Sequence, residues 1–169
     1  MHHRISCSCF ILLFASSAGL FLRAQTSQAA QHDHHMAEVK KHGAEAMGFD
    51  QDRTAHHFHL SSEGGVIQVS ANDPKDSRSI ALVQHHLELQ TENFAKGDFG
   101  APEHTHDQMP PGVNDMQKLK SEIHYAFRKT AQGGEVRIAS RNPKAVEAIH
   151  QFLRFQIKDH ATGDDPDVE

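Results

Sequence analysis

The chain is short of the residues that staple small domains or grip nucleic acid. It has two cysteines, no tryptophan and one tyrosine in 169 residues. Both cysteines, Cys7 and Cys9, lie in the first ten residues, ahead of an expected cleavage bond. The remainder therefore has no disulfide, no thiolate metal site and no thiol catalysis. Basic residues are outnumbered by acidic ones, 17 to 22, which excludes a generic nucleic-acid binder. A mean hydropathy of −0.59 with 37% hydrophobic residues describes a polar chain with enough apolar content for one domain or a small duplicated one. What the chain does have is histidine, 16 residues or about one in ten. That excess points to metal or to pH and names no reaction.

The start of the chain reads as an address. A short segment carrying Arg4 precedes a run of apolar and small residues over 7–22, and Ser27-Gln28-Ala29 offers small residues where a signal peptidase reads. The run falls short of the roughly 20 residues that a spanning helix needs. The expectation is a signal peptide over 1–29 and an exported domain, periplasmic or secreted, with no membrane segment in the mature form. Two of the basic residues and none of the acidic ones precede residue 30, so cleavage leaves 15 basic against 22 acidic residues, a net charge of −7, and 14 histidines.

Cleavage after Ala29 would expose Ala30-Gln31-His32. A free amine, two backbone amides and a third-position histidine can wrap Cu(II) or Ni(II) in a square plane. His34 and His35 follow at once. Residues 30–52 read as a flexible, histidine-containing lead-in with too little apolar content to bury.

The body, 53–164, carries an internal repeat. Phe58/Phe127, Gly64/Gly133, Gly65/Gly134, Pro74/Pro143 and Lys75/Lys144 are identical at an offset of 69. Leu87/Leu153, Gln90/Gln156, Ala95/Ala161, Gly97/Gly163 and Asp98/Asp164 match at 66. Each unit reads as a hairpin followed by a helix. The Gly-Gly pairs suit a tight turn that needs positive φ. Ile67 and Val69, like Val136 and Ile138, alternate with more polar residues as half-buried strands do. Asn72-Asp73-Pro74 and Arg141-Asn142-Pro143 end a strand and start a helix. Ile80, Val83, Leu87, Gln90 and Phe94 share one helical face, and Val146, Ile149, Leu153 and Ile157 another. Gly97 and Gly163 sit where a helix C-terminal glycine belongs. Between the units, 99–112 reads as a loop and 114–123 as a short helix.

The fold class expected is α+β: a duplicated ββα unit, with a four-stranded antiparallel sheet and two long helices on one face. Repeat 1 spans about 53–98, the connection 99–123, and repeat 2 about 124–164; an acidic tail covers 165–169.

Met47-Gly48-Phe49-Asp50-Gln51, Thr54-Ala55-His56-His57-Phe58, the stretch from Ala148 through Ile157, and His160-Ala161-Thr162-Gly163-Asp164 resemble a family of small uncharacterised bacterial exported proteins. The resemblance covers most of 47–164. It implies a bacterial, exported, single-domain protein and no particular mechanism.

Strand alternation sends Phe58 and Phe127 toward the helices, leaves His56 partly buried and places His57 and His59 together on the open face, correctly spaced for two ligands. His86 and His150 lie on core-facing helix sides at nearly equivalent places, where a pseudo-two-fold axis would let them meet around a cation. His160 extends the second stripe, and His85 faces solvent. His104-Thr105-His106-Asp107 forms a loop cluster suited to Zn(II) or Cu(II). The metal candidates are thus His32, His34, His35, His57, His59, His104, His106, His86 and His150, with copper, zinc or nickel as the ion. Lone histidines on an apolar helix face also serve as hydrogen-bonded core residues, and strand histidines as solvated surface.

Enzyme motifs are mostly absent: there is no His-Glu-x-x-His, no Gly-x-Ser-x-Gly and no phosphate loop. His86-Leu87-Glu88 matches half of a zinc-deaminase signature, but the cysteines of the other half are missing. Three readings follow. The chain is a metal-binding exported domain, an envelope interaction or ligand-binding module of unknown partner, or an enzyme with a site near the pseudo-two-fold axis.

Overall fold

The computed structural model describes residues 18–168, with side chains from residue 31 onward except His32. The chain clusters into two compact units, Met1–His34 and His35–Glu169. In the first unit the described residues are helical. The expected leader, 1–29, and the side chains of the Ala30/His32 terminus lie largely outside the described residues.

The second unit is α+β. Helix α1 (Ala18–Met47) ends in it, and β1 (Thr54–Ser61), β2 (Gly64–Ala71) and α2 (Ser77–Lys96) follow. After α3 (Gly100–His106) and α4 (Val113–Lys118) come β3 (Ile123–Thr130), β4 (Gly133–Ser140) and α5 (Pro143–Asp159). The four strands form one antiparallel sheet in the order β1-β2-β4-β3. Where the central strands meet, Ile67 pairs with Val136, Gly64 with Ala139 and Ser70 with Gly133. Ile67 and Val136 are themselves partners at the offset of 69, so the register is symmetric about that pair. Helix α2 packs on β3 and β4, and α5 packs on β1 and β2, so each helix crosses onto the hairpin of the other half.

The crossing explains the second glycine of each pair, while Gly64, the first of its pair, takes a positive φ of 143°. The hairpin turns are Ser62-Glu63 and Ala131-Gln132, and the glycines are the first two residues of β2 and β4. Neither Gly65 nor Gly134 takes a positive φ. A Cβ on Gly65 would run into His59 O and Leu153 Cδ1, and one on Gly134 would lie 2.6 Å from Phe127 Cε2 and 3.3 Å from Leu87 Cδ1. These positions are bare so that Leu153 and Leu87, equivalent residues of the two helices, can settle onto the sheet. The core between helices and sheet holds Phe58, Leu60, Val69, Val83, Leu87, Phe94, Val136, Ile138, Ile149, Phe152 and Leu153, all under 5% exposed.

Several boundaries differ from the sequence reading. Helix α2 starts at Ser77 rather than at Pro74, because Asp76 caps it by accepting from Ser79 N. The three extra residues are the same three that change the offset from 69 to 66. Gly97 does end α2 in the left-handed conformation (φ 84°). Gly163 takes a positive φ of 76° but does not end α5; Ala161, at φ 50°, does, as Thr162 N closes back onto Ile157 O. The stretch 99–112 is not all loop: 100–106 is α3. The helix expected over 114–123 stops at Lys118, with a 3-10 turn over Lys120–Glu122, and Ile123 opens β3. The lead-in is helical through Met47, with Val39 2% and Phe49 4% exposed. The tail is tied back: Arg154 Nε donates to Pro166 O (2.9 Å) and Val168 bridges to Leu60. Among the described residues no helix is long and apolar enough to cross a membrane.

Candidate functional site: a histidine-lined cavity

Four elements that are distant in sequence wall a cavity of about 60 Å³ against the symmetric pair Ile67–Val136. β1 supplies His56 and Phe58, α2 supplies His86, Leu87, Gln90 and Phe94, α3 supplies Thr105 and His106, and α5 supplies Phe152, Gln156 and His160 at its end; Met47 completes the rim. At about 10–15 Å³ for each water in this measure, the space suits a body of roughly four to six water volumes. Among the described residues no Asp, Glu, Lys or Arg lines it.

The histidines touch as a row of rings. Phe49 meets His86 edge-on (5.5 Å) and lies over His56 (6.1 Å). His56 stacks on His160 at 5.2 Å with planes 9° apart, and His160 meets His106 edge-on at 5.0 Å. Burial, followed by the neighbouring His86 and then His57, lowers His56 from 6.5 to about 4. Burial, followed by His85, does the same to His86. Burial, then His56 and His106, takes His160 well below its usual value. These three rings are neutral near pH 7.

His106, 3% exposed, is held from both sides. Its Nδ1 lies 2.5 Å from Asp159 Oδ2 and its Nε2 lies 3.0 Å from Gln156 Oε1. Asp159 Oδ1 reaches His35 Nε2 at 2.8 Å. Asp164 works similarly at the strand edge, its two oxygens 2.9 Å from His57 Nδ1 and 2.9 Å from Phe58 N. Burial pushes the Asp164 carboxyl up, but the hydrogen bonds with His57, Phe58 N–H and Thr162 outweigh it and hold it below the usual carboxylate range.

The polar atoms left over are the informative ones. Among the described residues His56 Nε2, Gln90 Oε1, Tyr125 Oη and Gln156 Nε2 are shut off from solvent with no hydrogen-bond partner, and all of these residues but Tyr125 line the cavity. Such atoms each cost about 1–3 kcal/mol and are rare in native structures. Gln90 and Gln156 are 66 residues apart, the offset at which the two helices match in sequence, and so are His86 and Phe152. The site sits against Ile67–Val136, the pair about which the register of β2 and β4 is symmetric.

The structure distributes the histidines singled out in the sequence. His57 has its Nδ1 on Asp164, an arrangement that orients metal ligands. The His59 ring stacks on the His57 ring, 6.3 Å away at 20°. His86 and His150 are not brought together: His86 borders the cavity, while His150 Nε2 lies 2.9 Å from Ser61 O. His104 and His106 are on helix α3 rather than a loop and diverge, with His104 exposed and His106 buried. His34 is exposed, and His35 bonds Asp159. Among the described residues no group of three or more His, Cys, Asp or Glu side chains stands ready to hold a metal ion. Sequence reasoning missed Gln90, Gln156, His56 and His160 as site residues. The available signal was a glutamine on the apolar face of each helix, at matching positions.

Comparison with known proteins finds no matching family model, no matching curated protein and no matching solved structure.

Proposed function

We propose that this chain is an exported ligand-binding domain whose site is the histidine-lined cavity. The observation that carries the reading is the set of three unpartnered polar atoms, His56 Nε2, Gln90 Oε1 and Gln156 Nε2, on the wall of one cavity. Small-molecule sites are largely apolar with a few convergent polar groups, and this one has Phe58, Phe94 and Phe152 beside two amides and three neutral imidazoles. With no charged lining, the ligand is a small uncharged molecule presenting a donor and an acceptor. We read the two strand-strand-helix halves as a duplication with both long helices on one face. The symmetric register and the Gly65–Leu153 and Gly134–Leu87 contacts support this, and duplication accounts for a site made of matched residues. Export rests on the leader-like start of the sequence.

Pyrazole and phenol are suitable probes, each with a ring body and a polar edge. Either one at about ten times its dissociation constant should stabilise the folded chain by about 1.4 kcal/mol. Gln90→Leu should abolish that shift. It should also leave the unliganded protein as stable or more so, because it removes an unpaired buried amide. Failure of both probes to move the thermal midpoint, together with a loss of stability in Gln90→Leu, would overturn the reading.

A further inference from the structure

His42 on α1 and His104 on α3 face each other with ring centres 5.4 Å apart and planes 34° apart. Two imidazoles bound through Nε2 to one tetrahedral ion, with metal–nitrogen bonds of about 2.0–2.1 Å, have ring centres roughly 5 Å apart. Two carboxylates stand beside them. Glu38 is one turn before His42 and Glu45 nearly one turn after it, so all three share a face of α1. His42 Nε2 is 3.5 Å from Glu38 Oε2, and His104 Nε2 is 3.7 Å from Glu45 Oε2. Both separations are long for hydrogen bonds. They lie close to the roughly 3.3–3.5 Å between neighbouring ligand atoms around tetrahedral zinc.

From this juxtaposition we propose that Glu38, His42 and Glu45 of α1, with His104 of α3, form a surface site for a divalent transition metal, with zinc the best fit. The site is separate from the cavity and does not depend on the ligand-binding reading. It pairs His104 with His42 in place of His106. As the side chains stand, no three of them meet at one point. They are 25% to 57% exposed, and binding requires these side chains to rotate onto a common ion. Two imidazoles and two carboxylates make a neutral set around a dication, without the thiolates that the chain lacks here. Bound metal would fasten α1 to α3.

The test is a zinc titration of the full chain by calorimetry, with Co(II) absorption as a check on tetrahedral geometry. The expected result is one zinc per chain with a dissociation constant of about 10 µM or tighter. His42→Ala and His104→Ala should each weaken it at least about tenfold, and Glu45→Gln by less. His57→Ala/His59→Ala should bind as the parent does. Glu38, Glu45 and His104 are exposed and His42 is half-buried, so the variants should melt close to the parent without metal. Absence of zinc binding, or binding that survives His42→Ala/His104→Ala unchanged, overturns the proposal.

Discussion

Replacing Gly65 with alanine tests the central packing claim, that each helix rests on a bare patch of the other half's hairpin. The new Cβ would meet two obstacles within contact distance, the carbonyl oxygen of His59 and Cδ1 of Leu153. Leu153 is fully buried. His59 O belongs to the neighbouring strand, whose pairing with β2 fixes its place. Overpacking a well-filled core costs about 1–3 kcal/mol. With a backbone atom among the obstacles, Gly65→Ala should fall at the upper end, near 3 kcal/mol. Gly134→Ala should cost less, about 1 kcal/mol, because its nearest obstacle is the ring of the half-buried Phe127 and its backbone obstacle, Arg128 O, stands off at 3.2 Å. Urea unfolding followed by circular dichroism measures both, and an unchanged slope would show that the two states keep their compactness. A double-mutant cycle sharpens the test. Leu153→Ala alone should cost about 2–5 kcal/mol and clearly less in the Gly65→Ala background, with a coupling of roughly 1 kcal/mol or more. Gly65→Ala within about 0.5 kcal/mol of the parent, the range of surface changes, would refute the reasoning. So would a Leu153→Ala cost that is the same in both backgrounds.

Three further outcomes follow from the site and its edges. His56 and His86 are each lowered to about 4. The unfolded chain therefore takes up protons below pH 6.5 that the folded chain refuses until about pH 4; stability should be full above 6.5 and fall between 6.5 and 4, by up to about 1.4 kcal/mol per pH unit for each ring, and a flat urea midpoint from pH 7 to 5 would contradict this. Ala161→Gly should stabilise by about 1 kcal/mol in thermal melts, because Ala161 holds a left-handed φ that glycine adopts freely; a loss of stability would show that the alanine methyl makes a contact outweighing the strain. Asp164→Ala should cost about 1–3 kcal/mol, since it strips the partner from Phe58 N, and faster amide exchange at Phe58 should accompany it.

The sheet and the two long helices were legible because their apolar residues recur at periods of 2 and 3.6, and the halves announce each other through matched positions. The glycine pairs were legible as a signal and only partly as to cause: Gly64 takes the positive φ that the turn reading called for, whereas Gly65 and Gly134 do not. Glycine marks both turns and close approaches, and only the contact with Leu153 and Leu87 separates the two. Helix α3 was hidden by its length and by Gly100 and Pro102, which resemble loop punctuation in a seven-residue stretch. Ala161 was unreadable, since nothing in its identity announces a left-handed φ with Gly163 two residues away. The cavity was the least accessible. Its walls come from β1, α2, α3 and α5, and its diagnostic atoms are defined by what they fail to touch. The sequence did place Gln90 on a core face and match it to Gln156. Reading those two together as a site needed the crossed helices that bring them to one centre.

The most direct test of the account is the thermal midpoint of the parent and of Gln90→Leu, each with and without pyrazole in large excess. A cavity built for a small uncharged ligand predicts a midpoint that rises with pyrazole in the parent, by about 3 °C or more for a gain near 1.4 kcal/mol. It predicts no rise in Gln90→Leu, whose own midpoint is equal or higher without ligand. No response in the parent, or an equal response in both proteins, would contradict it.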